Sequence, residues 1–409
     1  MKLVEPESVA ISSKRLLRIG EHLRSRYVEP GKIPGCLTLV ARRGQVCYLQ
    51  GEGMMDLERR KPMREDTIFR IYSMTKPITS VALMMLYEKG MFSLNDPVHR
   101  YLPQWRNLRV YRAGQWPEIL SEPATTTMTL RDLFLHTSGL TYGFQRNTNV
   151  DHAYRKLGVQ KLRPGYTLQE MIDELAQLPL EFNPGTAWNY SVATDVLGYL
   201  VELLSGQGLD QFFQEQIFGP LGMVDTAFEI APDKVGRFSA CYQRDANRQL
   251  ELEDDPADSA WRQRSFLSGG GGLLSTIADY HRFCQMLLNG GEWQGQQILG
   301  PRTVEFMTRN HLPGGIDIAG FSRGGYSESG HEGTGFGLGF AQMIDAVKGG
   351  SIGSPGEYFW GGMASTLFWN DPLEQLSVIF MTQLIPSGTF NFRGQLGSII
   401  HAALLDRGV

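Results

Sequence analysis

Between Thr75 and Gly90 the chain carries Ile78 and then Val81-Ala82-Leu83-Met84-Met85-Leu86, a stretch hydrophobic on nearly every side of a helix. A surface helix keeps one polar face, so a helix of this kind has to sit in the middle of a protein. The rest of the chain must therefore build layers around it. At 409 residues, 42% hydrophobic and 20% charged, it is long enough and ordinary enough in composition to do so as a globular protein. A prior of about 150 residues per domain suggests two or three domains.

The segments before and after that helix have different periods. Ser13 to Tyr27 reads as a helix capped by Ser12 or Ser13, with Leu16, Leu17, Ile19 and Leu23 on one stripe. A hairpin follows, Cys36 to Ala41 and Gln45 to Gln50, turned at Arg43-Gly44. Residues 77 to 309 are dominated by helical patterns, at 131 to 136, 167 to 177, 191 to 205, 209 to 217 and 276 to 289, separated by Pro/Gly loops. Strand patterns return at Phe336 to Met343, Glu357 to Trp360, Ser365 to Trp369 and Leu376 to Thr382, with Asn370-Asp371-Pro372 as a turn. Arg393 to Leu405 closes the chain as a helix. The expectation is an α/β domain made from both ends, 1–76 and 310–409, with a mainly helical domain, 77–309, inserted between them. A cleft between the two is where a ligand would bind.

Several function classes drop out early. A net charge of −4 with no Lys/Arg block argues against a nucleic-acid partner. The opening residues Met1-Lys2-Leu3-Val4-Glu5-Pro6 lack the apolar core of a signal peptide, and no apolar run is long enough to span a bilayer, so a cytoplasmic location without membrane attachment is expected. Cys36, Cys47, Cys241 and Cys284 are too few and scattered for a disulfide framework and read as buried thiols. Neither cysteines nor histidines show metal-ligand spacing, so no metal or other cofactor is expected.

The chemistry-bearing motif is Tyr72-Ser73-Met74-Thr75-Lys76-Pro77. Lys76 is the only lysine with a serine three residues before it, and on a helix that spacing puts both side chains on one face. A strand-like run, Thr67 to Tyr72, leads into Ser73 and the buried helix starts directly after it. The hydroxyl would then sit at a helix N-terminus, where backbone N–H groups favour developing negative charge. A serine becomes a nucleophile when a base takes its proton, and a lysine can do this once burial lowers its pKa. By itself the tetrapeptide also fits a capping serine beside a surface lysine.

The surrounding segments extend the pattern. Leu135-His136-Thr137-Ser138-Gly139-Leu140, Asn183-Pro184-Gly185 before Trp188-Asn189-Tyr190-Ser191, Ile217-Phe218-Gly219-Pro220-Leu221-Gly222-Met223 and Gly269 to Leu274 resemble, in order, segments of class C β-lactamases and family VIII carboxylesterases. Ser73-x-x-Lys76 resembles the nucleophile motif of the same penicillin-recognising superfamily. The resemblance implies a β-lactamase-like fold, an antiparallel sheet flanked by the N- and C-terminal helices with a helical domain inserted. It implies Ser73 as nucleophile, and Tyr190, in the place of the family's Tyr-x-Asn, as a second proton carrier beside Lys76. Whether Lys76 or Tyr190 is the primary base stays open. The third family motif, Lys-Thr-Gly or His-Thr-Gly, falls on Trp360-Gly361-Gly362, and the following residue, Met363, is expected to form an oxyanion hole through its backbone N–H together with that of Ser73.

Two departures from the β-lactamase pattern point toward esters. Trp360 in place of Lys removes the cation that meets a β-lactam or peptide carboxylate, and Val192 in place of Asn removes an amide that holds the acyl side chain. A buried carboxylate left unpaired is penalised by several kcal/mol, whereas a neutral ester leaves no charge to pair. Tyr-Ser-Val and Trp-Gly-Gly are also the family VIII forms. The expected activity is carboxylic-ester hydrolysis on short- to medium-chain small-molecule esters through an acyl-Ser73 intermediate, with Tyr72, Trp188, Phe336 and Trp360 as apolar walls and Gly361 and Gly362 admitting substrate. Alternatives are a β-lactamase or D,D-peptidase, an acyltransferase, or a sensor that acylates once. Oligomeric state is not readable.

Gly349-Gly350-Ser351-Ile352-Gly353 also matches GxSxG, but that motif needs a strand-to-helix turn and here it lies in a Gly/Pro-rich loop leading into a strand. His136 to Gly139 reads as a structural turn, Gly269 to Gly272 as a place of close backbone packing, and Phe321 to Gly335, with Tyr326, as a long loop bordering the site.

Overall fold

Gly35–Arg42 (β1) is buried at every position, which requires cover on both faces and neighbours on both edges. The computed structural model, which describes residues 1–160, 165–264, 266–323 and 330–406, supplies both. β1 pairs antiparallel with Gln45–Asp56 (β2), turned at Arg43-Gly44 with both φ angles positive, and β2 pairs with Lys61–Pro62 (β3). The other side of the sheet comes from the far end of the chain: Thr334–Phe336 (β4), Ala341–Met343 (β5), Tyr358–Gly361 (β6), Leu367–Asp371 (β7) and Leu376–Thr382 (β8). The eight strands run in the order β4-β5-β6-β7-β8-β1-β2-β3, all antiparallel, with Cys36 opposite Thr382 and Val40 opposite Val378 joining the two ends.

Helices cover both faces. Ser13–Leu23 (α1), capped by Ser12 and burying Leu16, Ile19 and Leu23, packs on β2 and on the terminal helix. The apolar run forms Thr75–Glu88 (α2), with 11 of its residues buried. It lies against Ala193–Ser205 (α3), while Ile277–Leu288 (α4) lies on β8 and β1. Phe392–His401 (α5) sits against α1. The expected fold class is therefore observed, with a central apolar helix between sheet and helical layers. All four cysteines are free and buried, and burial pushes their thiols up. Among the described residues, no helix is long and apolar enough to cross a membrane.

Three expectations need correction. Phe336 to Met343 is two paired strands, with Phe336 opposite Ala341, because Gly337-Leu338-Gly339 reverses the chain there. Gly339 has φ +96° and lies so close to α2 that a Cβ would stand 2.2 Å from Ser80 Oγ. The turn expected at Asn370-Asp371-Pro372 starts only at Pro372, since β7 continues through Asp371 and the chain reverses over 372–375. The middle segment also contains hairpins, Arg109–Gln115 with Glu118–Pro123 and Cys241–Arg244 with Leu250–Asp254, whose mixed polar strands carry little periodic signal. Of the Phe321 to Gly335 loop, residues 324–329, Tyr326 among them, lie outside the described residues.

Candidate active site

The short strand Ile68–Arg70, paired with Leu274–Thr276, delivers the chain to a 3-10 turn, Tyr72–Met74, that runs straight into α2. Tyr72 has φ +42°, a left-handed conformation disfavoured for a bulky residue, and its ring packs edge-on to Trp261. Strain of this kind is held by the surrounding packing. Here it turns the backbone so that Ser73 stands at the head of the central helix.

Two proton-bearing groups reach the Ser73 hydroxyl. Lys76 Nζ lies 3.2 Å from Ser73 Oγ and also donates to the Gly270 carbonyl at 2.6 Å. The Tyr190 hydroxyl donates to Ser73 Oγ at 2.7 Å. Tyr190 sits just ahead of α3, its position fixed by Asn189, whose N–H donates to His136 O and whose Nδ2 donates to Leu140 O, both at 2.9 Å. Lys76 Nζ is 4.5 Å from the Tyr190 ring centroid and 5.2 Å from that of Tyr142. A cation held over ring faces in this way is stabilised by their π-systems. Lys76 and Tyr190 are 2% and 1% exposed, Ser73 8%, so the hydroxyl is the member of the trio that meets the cavity.

Asp195, on α3, supports this arrangement from behind. It accepts from Ser268 Oγ at 2.5 Å, Gln160 Nε2 at 2.6 Å and the Gly270 N–H at 2.9 Å. It thereby holds the Gly269–Gly271 backbone whose carbonyl receives Lys76. Burial raises its pKa, against the lowering effect of those hydrogen bonds and of Lys76. Nothing in the sequence marked Asp195, which lies five residues beyond Tyr190, because its partners come from segments far along the chain. The expected close packing at the glycine run is present: a Cβ on Gly270 would stand 2.7 Å from Asp195 Oδ2.

β6 ends beside Ser73. Gly362 packs so tightly that a Cβ would lie 2.4 Å from the Ile71 carbonyl, and its N–H bonds to Thr366 O at 2.8 Å. Gly361, paired with Leu367, is the last residue of the strand. Met363 then faces the cavity that holds Ser73, and among the described residues its N–H has no acceptor. It is available to an oxyanion.

That cavity, about 250 Å³, is walled by Tyr72, Tyr142, Phe144, Trp261, Phe266 and Met363. Of the four expected aromatic walls, Tyr72 lines it. Trp188, Phe336 and Trp360 are fully buried behind Tyr190, with ring centroids 6.3 Å (Trp188) and 5.5 Å (Trp360) from it and Phe336 5.8 Å from Trp188 and 5.4 Å from Trp360. They brace the phenol. Tyr142, Phe144, Trp261 and Phe266 carry no motif, and only folding reveals them.

His136 is buried in the same aromatic cluster, its ring 5.0 Å from that of Tyr190 and its Nδ1 3.1 Å from Ser191 Oγ. Burial first, and the charge of Lys76 second, hold its pKa well below the usual imidazole value. A neutral ring at φ +57° in a turn is a packing element. Ser351 lies in the turn-rich connection between β5 and β6. It lines a separate cavity of about 430 Å³, with Glu357, Trp369, Phe392 and His401 on its walls and without Ser73, Lys76 or Tyr190.

Beside that second cavity, Glu357, Asp371 and His401 bring potential ligand atoms within 4.8 Å of one another, a grouping the sequence spacing does not show. Arg393 already pairs with Glu357, and His401 Nε2 stands 3.7 Å from Asp371 and 3.9 Å from Glu357. Two acids, a guanidinium and an imidazole close together make this a titratable network joining α5 to the sheet.

Known proteins resemble the chain over most of its length. Residues 22–395 match the family described as Beta-lactamase. Protein Rv1367c of Mycobacterium tuberculosis is 33% identical over 361 residues, 88% of each chain. Esterase EstB of Burkholderia gladioli is 28% identical, covering 94% of this chain and 95% of its own. The solved structure of EstCE1, a hydrolase with promiscuous acyltransferase activity, superposes with a TM-score of 0.78 at 26% identity, over 96% of this chain and 98% of that one. A match of this extent, over a fold that brings Ser73 to the head of its central helix, makes the chain a member of the Beta-lactamase family and a serine hydrolase of the β-lactamase-like superfamily.

Proposed function

We propose that this protein is a family VIII-type carboxylesterase that hydrolyses short- to medium-chain esters through an acyl-Ser73 intermediate. The observation that carries the reading is the convergence of Lys76 Nζ and the Tyr190 hydroxyl on one Ser73 oxygen at the mouth of an aromatic-walled cavity. The Lys76–Tyr190 pair, one member of it deprotonated, takes the single Ser73 proton as its oxygen attacks the ester carbonyl. The carbonyl oxygen, turning anionic, is met by the backbone N–H groups of Ser73 and Met363, a contribution of about 2.7–4 kcal/mol per donor in comparable sites. Tyr190 returns the proton to the leaving alcohol, and a water then attacks the acyl group with the same proton carriers acting in reverse.

Two features favour esters over β-lactams or peptides. Trp360 stands where a cation would be needed, and it is buried behind Tyr190. Val192 caps α3 with a buried apolar side chain where the amide of an asparagine would hold an acyl side chain. The names of EstB and EstCE1 support the same reading, and that of EstCE1 also supports acyl transfer to an alcohol as a second reading. The test compares hydrolysis of p-nitrophenyl butyrate with that of a chromogenic cephalosporin, with Ser73→Ala beside Ser351→Ala. Ester turnover should far exceed cephalosporin turnover and vanish only in Ser73→Ala. Activity kept in Ser73→Ala and lost in Ser351→Ala would overturn the proposal, and product analysis with added alcohol would expose transfer.

A further inference from the structure

Among the described residues that line the cavity holding Ser73, one side chain is charged. Arg264, in the segment after the 3-10 turn Ala260–Arg262, lines it together with Tyr72, Trp261 and Met363. Its guanidinium carbon lies 3.5 Å from the Trp261 ring centroid, so the side chain is held flat against a wall of the cavity. Among the described residues, no carboxylate lies within ion-pair distance of it and its buried Nε has no hydrogen-bond partner. The nearby acid Asp254 is committed elsewhere, to Arg70 Nε at 2.6 Å and to Ser259 Oγ at 2.8 Å. Glu229 meets only the backbone N–H of Arg264, at 3.4 Å. Burial, only partly offset by Tyr72 and the more distant Asp254, pulls the Arg264 pKa down to about 10.

A half-buried, unpaired guanidinium in a wall shared with the nucleophile is costly to keep unless something anionic meets it. Its planar fork fits a carboxylate with two parallel hydrogen bonds, and its stacking on Trp261 fixes the fork before any ligand arrives. We propose that Arg264 is a carboxylate subsite and that the preferred substrates are esters carrying a second, ionised carboxyl group away from the scissile bond. This rests on the assignment of Ser73 as nucleophile and sharpens the substrate class. It also resolves the loss of the family cation at Trp360. The acid is recognised from the Trp261 wall of the cavity, by a residue that belongs to no sequence motif, and the reacting ester itself stays neutral.

The experiment uses two matched pairs of esters. One pair is the p-nitrophenyl monoester of glutaric acid against p-nitrophenyl butyrate, and the other is 4-carboxyphenyl butyrate against phenyl butyrate. In the wild-type protein at least one anionic ester should exceed its neutral partner in kcat/KM. Arg264→Gln should lower kcat/KM for that anionic ester at least ten-fold, mainly through KM, and leave the neutral partner within about two-fold. Arg264→Lys should restore part of the preference. An anionic-to-neutral ratio that Arg264→Gln leaves unchanged in both pairs, or an equal fall for charged and neutral esters, would overturn the subsite. Ester hydrolysis that survives Ser73→Ala would instead overturn the nucleophile, so the two failures are distinguishable.

Discussion

Ser73 Oγ receives two hydrogen-bond contacts from side chains 3 and 117 positions away in sequence, and the chemistry proposed here depends on both. Removing the phenol oxygen in Tyr190→Phe should lower kcat by about 10² to 10⁴ while the fold survives, because the ring still fills its place among Trp188, Phe336 and Trp360. Steady-state kinetics beside circular dichroism checks this. Asp195→Ala should act at one remove: Gly270 and Ser268 lose their acceptor, the carbonyl that holds Lys76 loosens, and kcat should fall about ten-fold or more with KM less affected. Full kcat retained in Asp195→Ala would remove it from the arrangement. At this scale Ser73, Lys76 and Tyr190 were legible because each stands in a short segment with fixed spacing. Asp195, Tyr142 and Arg264 were not, since a lone acid, phenol or guanidinium has no signature until distant segments meet around it.

Elements aim those residues. The end of β6 touches the segment before Ser73 through Gly362, where only a missing Cβ permits the approach to the Ile71 carbonyl. Gly362→Ala should push strand and turn apart, cost about 1–3 kcal/mol in stability, and reduce kcat at least ten-fold through the displaced Met363 N–H. Thermal unfolding and kinetics on one sample separate the two effects, and wild-type kcat in the variant would count against an oxyanion role for Met363. The helices α1, α2, α3 and α4 were readable from period and caps. The β4–β5 reversal was not, because Phe336-Gly337-Leu338-Gly339-Phe340 alternates like a strand, and only the close approach of Gly337 to the Met307 carbonyl and of Gly339 to α2 explains the glycines. The aromatic walls were misjudged for a related reason: Trp188, Phe336 and Trp360 are large and near the motifs, yet size favours burial behind the site as readily as exposure to it.

The whole molecule is closed by its two ends. Arg42, fully buried on β1, pairs with Glu374 at 2.8 Å and Asp406 at 2.7 Å, and Ser12 bonds to Ala403 at 2.8 Å. The Glu357–Arg393 and Asp371–His401 network adds a pH-dependent tie. Burial opposes a charged His401, but the nearby Asp371 carboxylate, the hydrogen bond of its Nδ1 to the Gly397 carbonyl and the charge of Glu357 outweigh it, so its pKa is raised above 6.5. A raised folded-state pKa means stability that is full below the unfolded value and lost as pH rises through the folded one. Stability should therefore decline as pH rises above about 6.5, the ordinary imidazole value, and His401→Gln should flatten that decline in chemical unfolding at pH 6 and 9. An unchanged slope would place the pH dependence elsewhere. That the ends share one sheet was foreseeable from strand patterns at both, whereas this network was not, since its members are spread from Glu357 to His401. Ester hydrolysis as proposed depends on a covalent step at one atom. Rapid quenching of a p-nitrophenyl butyrate reaction in acid, followed by intact mass and peptide mapping, should show one butyryl group, about 70 Da, on the peptide bearing Ser73. An adduct on Ser351, or turnover with no adduct at any time in the wild type and in variants slowed at Tyr190, would contradict it.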